Sequence, residues 1–76
     1  MFINATIEVG TTRADIRIDS EQTIEQALIV LRESGKLPGG NTPGYFHSRL
    51  NQRPVSTYMT FAEEHIFDGD ILTMID

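Results

Sequence analysis

The first eighteen residues alternate between apolar and polar side chains. The apolar positions of the first run are Ile3, Ala5, Ile7 and Val9, and those of the second run are Ala14, Ile16 and Ile18. A period of two is typical of a strand that buries one face and leaves the other in water. Because Gly10 and Thr11 separate the two runs, the pattern predicts a β-hairpin with one apolar face to be covered.

The apolar period changes to that of a helix after Thr23. One stripe at the spacing i, i+3, i+4 and i+7 is formed by Ile24, Ala27, Leu28 and Leu31. Thr23 and Gln26 match a capping box, which marks a helix start. Gly35 suits the left-handed residue that follows a helix, and Pro38 prevents the helix from resuming. We therefore expect a helix over residues 24–34, packed on the hairpin.

The second half of the chain predicts two further strands with a short edge segment between them. A loop rich in glycine and proline covers 36–44, a third strand covers 45–50, and a short edge segment covers 53–55. Pro54 places that segment at an edge, since proline cannot donate a ladder hydrogen bond. After a corner at Gly69, the last strand, 71–75, has to return and pair in parallel with the first strand, in the middle of the sheet.

These elements predict one α+β domain over residues 1–76, in the order ββαββ, with a mixed sheet packed on one helix. The residues expected to face its core are Ile3, Ile7, Ile16, Ile18, Ile24, Leu28, Leu31, Leu50, Phe61, Ile66, Leu72 and Met74.

Composition and charge narrow the possible partners. The net charge is −5 with only six basic residues, which argues against binding to nucleic acid or to anionic membrane surfaces. The longest aliphatic run, 27–31, is too short to cross a bilayer, and the start of the chain has no secretory-signal pattern. There is no cysteine. These features predict a cytoplasmic protein without disulfides or thiolate metal sites.

Two stretches resemble ubiquitin-like proteins. The helix start Thr23-Ile-Glu and the spacing of Phe61, Ile66 and Leu72 resemble ubiquitin and its β-grasp relatives. The ending Ile66-Phe-Asp-Gly-Asp-Ile-Leu resembles the YukD/EsaB group, small bacterial ubiquitin-like proteins associated with type VII (Ess/ESX) secretion systems. The resemblance implies a β-grasp fold and a cytoplasmic, non-conjugated accessory protein. It also implies protein partners, among them the cytoplasmic parts of a membrane secretion complex.

Several residues invite a chemical role, and we assign none. Gly39-Gly40 is internal, unlike the terminal pair of a carrier or modifier protein, so a loop turn is favoured. An acidic run with one imidazole lacks calcium-loop spacing and is interpreted as a solvated turn: Glu63, Glu64, His65, Asp68 and Asp70. His47 and Ser48 are neighbours in a predicted strand, so they point to opposite faces and cannot act together. We expect no catalytic residue, no cofactor and no metal.

The predicted binding residues lie on the outer face of the sheet. If Leu72 and Met74 face the helix, then Ile71, Thr73 and Ile75 face outward, and His47 and Arg49 can share their face. We predict that these five residues bind a protein partner. The alternative is that they are ordinary scattered exposed residues. Ile29, on the exposed side of the helix, could be a second contact or a self-association site, but its interpretation as a lone exposed isoleucine is favoured.

The function predicted from sequence is that of a non-enzymatic, ubiquitin-like interaction module. One alternative is a small β-grasp accessory subunit of a multicomponent enzyme. A carrier protein activated at its carboxyl terminus is a less favoured alternative.

Overall fold

The computed structural model describes residues 1–75. Within that range the chain forms five strands and one helix: β1 (Phe2–Val9), β2 (Thr12–Asp19), α1 (Ile24–Glu33), β3 (Tyr45–Ser48), β4 (Arg53–Ser56) and β5 (Ile71–Met74). The strands form one sheet in the order β2-β1-β5-β3-β4. The predicted α+β class, with a mixed sheet packed on a helix, is confirmed.

The last strand lies in the middle of the sheet. β5 pairs in parallel with β1, where Leu72 lies opposite Ile7. On its other side β5 pairs antiparallel with β3, where Leu72 lies opposite Ser48. β5 therefore joins the β1–β2 hairpin to the β3–β4 pair, and its predicted parallel pairing with the first strand is confirmed.

Local sequence signals determine both ends of the helix. Thr23 and Gln26 form both bonds of the capping box. At the other end the amide of Lys36 donates to the carbonyl of Leu31 at 2.8 Å, and the amide of Gly35 donates to that of Arg32 at 3.0 Å. This is the Schellman arrangement, and it requires the positive φ of +76° that Gly35 adopts.

The predicted core is correct except in the third strand and at two partly buried positions. Leu50 was expected to face inward, but 57% of its surface is exposed. The reason is that β3 ends at Ser48 rather than at Leu50, and residues 49–52 form a turn. Ile16 and Met74 pack against the core but are only partly buried. Core positions absent from the predicted list include Leu37, Phe46 and Val55.

Asp70 is fully buried, so its assignment to a solvated acidic turn is wrong. One carboxylate oxygen accepts the Ser48 hydroxyl at 2.5 Å. The other accepts the backbone amides of Leu50, at 3.0 Å, and Ile71, at 2.7 Å. Burial of this carboxyl group is tolerated because its oxygens accept hydrogen bonds from these three donors. Asp70 thereby ties the start of β5 to the end of β3.

We expect Asp70→Ala to destabilise the fold strongly. Removing the carboxylate leaves buried donors without an acceptor, and each such donor costs about 1–3 kcal/mol. The free energy of unfolding, measured by urea denaturation, should fall by at least about 2 kcal/mol.

Asp68→Ala is the matched control. Asp68 is exposed and accepts one amide, that of Asn4, at 2.6 Å, so its removal should cost about 1 kcal/mol or less. Equal losses in the two variants would contradict the anchoring role of Asp70.

Candidate protein-binding surface

Thr73 lies at the centre of the outer sheet face. It is opposite Glu8 of β1 on one side and opposite His47 of β3 on the other. Its hydroxyl donates to a carboxylate oxygen of Glu8 at 2.9 Å, and Glu8 also lies 3.4 Å from the guanidinium of Arg13. The hydroxyl of Thr73 is therefore engaged within the sheet, while the His47 side chain is exposed.

The remaining predicted residues lie on the same face as Thr73. The amide of Arg49 donates to the carbonyl of Ile71 at 3.0 Å, which extends the β3–β5 ladder by one step beyond Ser48. Ile71 is half-buried, whereas Arg49 and Ile75 are exposed. The structure thus brings all five residues to one face of two adjacent strands, and their role in binding stays a prediction.

Two further residues belong to this surface but were not predicted. The β3–β5 register places Tyr45 beside Ile75, and 59% of the tyrosine surface is exposed. Pro54 of β4 lies opposite His47 and is also exposed. The signal for Tyr45 was present in the sequence, because Tyr45 and His47 alternate with Phe46 and Ser48, which are buried. We call the whole set the β5–β3 surface: Tyr45, His47, Arg49, Pro54, Ile71, Thr73 and Ile75.

The chemistry of the β5–β3 surface suits contact with another protein. Tyr45 and Ile75 offer adjacent exposed apolar area, and Ile71 adds a half-buried aliphatic side chain. His47 and Arg49 add an imidazole and a guanidinium beside them. Tyrosine and arginine are enriched at protein interfaces, where an apolar centre is surrounded by polar groups.

The acidic side chains after Thr60 contact separate partners and do not converge on one site. The carboxylate of Glu63 accepts the amide of Thr60 at 2.9 Å. Glu64 accepts the amide of Ser56 at 2.5 Å and lies 3.3 Å from the guanidinium of Arg53. Among residues 1–75, no three histidine, aspartate or glutamate side chains come together in a way that could hold a metal ion.

His47 and Ser48 are separated by the sheet. Ser48 is buried and donates its hydroxyl to Asp70. His47 points to the opposite, solvent-exposed face, as strand geometry requires. The two side chains therefore do not form a nucleophile and base.

Two carboxylates have lowered pKa values because they accept backbone amides. The amide of Thr60 holds the pKa of Glu63 below its ordinary value of 4.5, and the Thr60 side chain adds to this effect. The amide of Glu21 holds the pKa of Asp19 below 3.8, and the amino group of Met1 contributes next. Hydrogen bonds to the ionised form favour that form.

Comparisons with solved structures show a ubiquitin-like β-grasp fold. A protein designed de novo on the basis of ubiquitin is 19% identical and has a TM-score of 0.69, covering 95% of this chain and 84% of the designed one. The EccD5 ubiquitin-like domain from Mycobacterium xenopi is 16% identical, with a TM-score of 0.57 over 99% of this chain and 93% of that domain. At these identities the likeness shows the fold alone.

Sequence comparisons add no assignment. No protein-family model matches the chain, and no curated protein matches it. Within the part of the chain that the structure describes, no helix has the length and apolar character needed to cross a bilayer.

The lowered pKa values predict a loss of stability in acid. A depressed carboxyl pKa stabilises the folded state above the unfolded-state value, and this contribution is lost as the pH falls through the folded-state value. The contribution of these two carboxyls to the free energy of unfolding should therefore be fully present above the ordinary pKa values of 3.8 and 4.5 and should decrease below them.

Glu63→Gln should reduce this pH dependence in urea titrations repeated across the acid range. Glu33→Gln is the control, because no hydrogen bond of the Glu33 carboxylate is present among the described residues. If Glu63→Gln and wild type lost stability in parallel on acidification, the assignment to Glu63 would be wrong.

Proposed function

We propose that this protein is a non-enzymatic, ubiquitin-like interaction module that binds a protein partner through the β5–β3 surface. The observation that carries the proposal is the adjacency of Tyr45, in β3, and Ile75, directly after β5, which are 59% and 41% exposed. Both lie on the outer face, which the helix does not cover. Tyr45 pairs with Ser56 of β4, and Met74, the residue before Ile75, pairs with Phe46 in the central ladder. A partner therefore meets a preformed surface, and little ordering entropy is lost on binding.

We further propose that the partner belongs to a type VII secretion system, in which this protein is a cytoplasmic accessory. The support is the sequence resemblance of the ending Ile66-Phe-Asp-Gly-Asp-Ile-Leu to the YukD/EsaB group. The likeness in fold to the EccD5 ubiquitin-like domain is compatible with this assignment. The proposed partner is a cytoplasmic part of a membrane component, which would be contacted by apolar area at Ile75 and by the cationic group of Arg49.

The proposal predicts that Ile75→Asp abolishes partner capture. The new carboxylate would be buried without a partner at the centre of an apolar contact. Loss of a side chain at such a position typically costs about 2 kcal/mol or more of binding free energy, which is about thirtyfold in affinity. The measurement is quantitative affinity capture from the native host, with mass spectrometry to identify and count the recovered proteins.

Ile29→Asp provides a closely matched control. Ile29 is 42% exposed, against 41% for Ile75, but it lies on α1. Recovery should be retained with Ile29→Asp and lost with Ile75→Asp, both variants being folded by circular dichroism. Unchanged recovery with Ile75→Asp would exclude the β5–β3 surface. Recovery of enzyme subunits in place of secretion components would exclude the secretion role while leaving the surface intact.

A further inference from the structure

β2 is an edge strand of eight residues whose outward backbone groups are free to pair. The amide of Thr6 donates at 3.0 Å to the carbonyl that precedes β5, so the backbone of Thr6 faces β5. Asp15 lies opposite Thr6 on the β2 side. Asp15 therefore belongs to a non-hydrogen-bonded pair, and its N–H and C=O point away from β1. The same alternation turns the backbone groups of Arg13 and Arg17 outward.

The opposite edge of the sheet is occupied by the chain itself. β4 is four residues long and contains Pro54, which has no N–H to offer. The amide of Ser56 is taken by the carboxylate of Glu64 at 2.5 Å. The guanidinium of Arg53 donates a hydrogen bond to the carbonyl of Pro54 at 3.2 Å. Of the two edges within residues 1–75, β2 is the longer and the more open to a further strand.

The outer face of β2 carries charges that alternate in sign. They are Arg13, Asp15, Arg17 and Asp19. Reversing this order exchanges every positive position with a negative one, so the strand is complementary to an antiparallel copy of itself. With a two-fold axis at Ile16, Arg13 lies opposite Asp19 of the second copy, and Asp15 lies opposite its Arg17. Opposite charges at facing positions stabilise a strand pair, and like charges destabilise it.

The neighbouring registers are not complementary. Moving the axis to Asp15 places two aspartates opposite each other and each Arg13 opposite an Arg17. Moving it to Arg17 places two arginines opposite each other. In the register centred on Ile16, the residues with outward backbone groups face one another: Arg13 faces Asp19, and Asp15 faces Arg17. They can therefore form the hydrogen-bonded pairs that an antiparallel ladder requires.

Contacts within the chain engage all four of these side chains. Arg13 lies 3.4 Å from the carboxylate of Glu8, and Asp19 lies 3.1 Å from the amino group of Met1. The carboxylate of Asp15 accepts the hydroxyl of Thr6 at 2.7 Å. The guanidinium of Arg17 lies 5.4 Å from the ring centre of Phe2. Both are therefore preorganised on the outer face, which lowers the entropy lost when they meet a partner.

A largely apolar groove lies beside the β2 edge. It has a volume of about 420 Å³ and lies between β2 and α1, where Ile16, Ile18, Gln26 and Val30 contribute to its lining. Val30 is 55% exposed, and Ile16 is only partly buried. With the axis at Ile16, this side chain faces its counterpart in the second copy. Pairing of the edges would therefore also remove apolar area of the groove from water.

We propose that two copies of this chain pair antiparallel along β2, with the axis at Ile16, into one continuous ten-stranded sheet. The inference is independent of the proposed function. A two-fold axis perpendicular to the sheet keeps the two outer faces on the same side. The dimer presents two β5–β3 surfaces in the same direction, so that a partner with two sites is held at increased effective concentration.

Charge reversal on β2 tests both the dimer and its register. With the axis at Ile16, position 15 of one copy faces position 17 of the other. In Arg17→Asp both of these positions are aspartate, and in Asp15→Arg both are arginine, so like charges face each other. Each variant alone should associate at least about tenfold more weakly than wild type. An equimolar mixture restores all four opposite-charge pairs, so the mixture should dimerise. Masses are measured by sedimentation between about 10 μM and about 1 mM, the range in which small interfaces associate.

The variants are chosen so that folding is preserved. The residues opposite Asp15 and Arg17 on β1 are Thr6 and Asn4, which are neutral, so neither reversal places like charges directly opposite each other within the chain. Lys36→Asp makes the same change of charge in the loop that follows α1, outside both β2 and the β5–β3 surface, and should dimerise like wild type. Circular dichroism checks that each variant is folded.

The outcomes separate the proposal from its alternatives. A wild-type protein that stays monomeric over the whole range overturns it, and the alternating charges then serve to keep the edge unpaired. Dimerisation of Arg17→Asp at wild-type strength places the contact elsewhere and also overturns it. NMR spectra of the wild-type protein, recorded over the same concentration range, complete the test. Concentration-dependent amide shifts should concentrate at residues 12–19, and shifts confined to other strands would contradict the pairing.

Discussion

The structure depends on the insertion of β5 between β1 and β3. The amino-terminal hairpin and the β3–β4 pair are each locally connected, but within the described residues β5 is the strand that joins them into one sheet. Asp70 holds the start of that strand, because its buried carboxylate accepts the Ser48 hydroxyl and the amides of Leu50 and Ile71. A buried carboxyl group is tolerated when its oxygens have hydrogen-bond partners of this kind. The polar anchor and the apolar contact of Leu72 act on the same strand.

The strand that completes the fold also forms the proposed binding surface. Leu72 is buried under the helix, while Thr73 and Ile75 point to the opposite face. Alternation along one strand thus gives one set of side chains to the core and the other to a partner. β5 is held by ladders on both sides, so we infer that the backbone at the centre of the surface changes little on binding. Such a preformed surface is suited to docking and needs no catalytic group.

The charges of the chain are used locally, which explains why an acidic composition gives no single acidic site. Glu63 and Asp19 accept backbone amides, and Glu64 occupies the amide of Ser56 at the short edge. Among residues 1–75, no side chain covers the outward backbone groups of β2 in this way, and the strand presents charges of alternating sign. One edge of the sheet is therefore closed by its own side chains, whereas the other is open to a strand of matching pattern.

The sequence by itself determined the hairpin, the helix with both of its ends, and the central place of the last strand. These features follow from periodicity, capping residues and the need of an apolar strand for neighbours, which are properties of short segments. The tertiary structure alone decided the burial of Asp70 and the placement of Tyr45 beside Ile75. Each of these depends on residues about twenty or more positions away in the chain, and no local pattern specifies which distant donor or strand will be brought into contact.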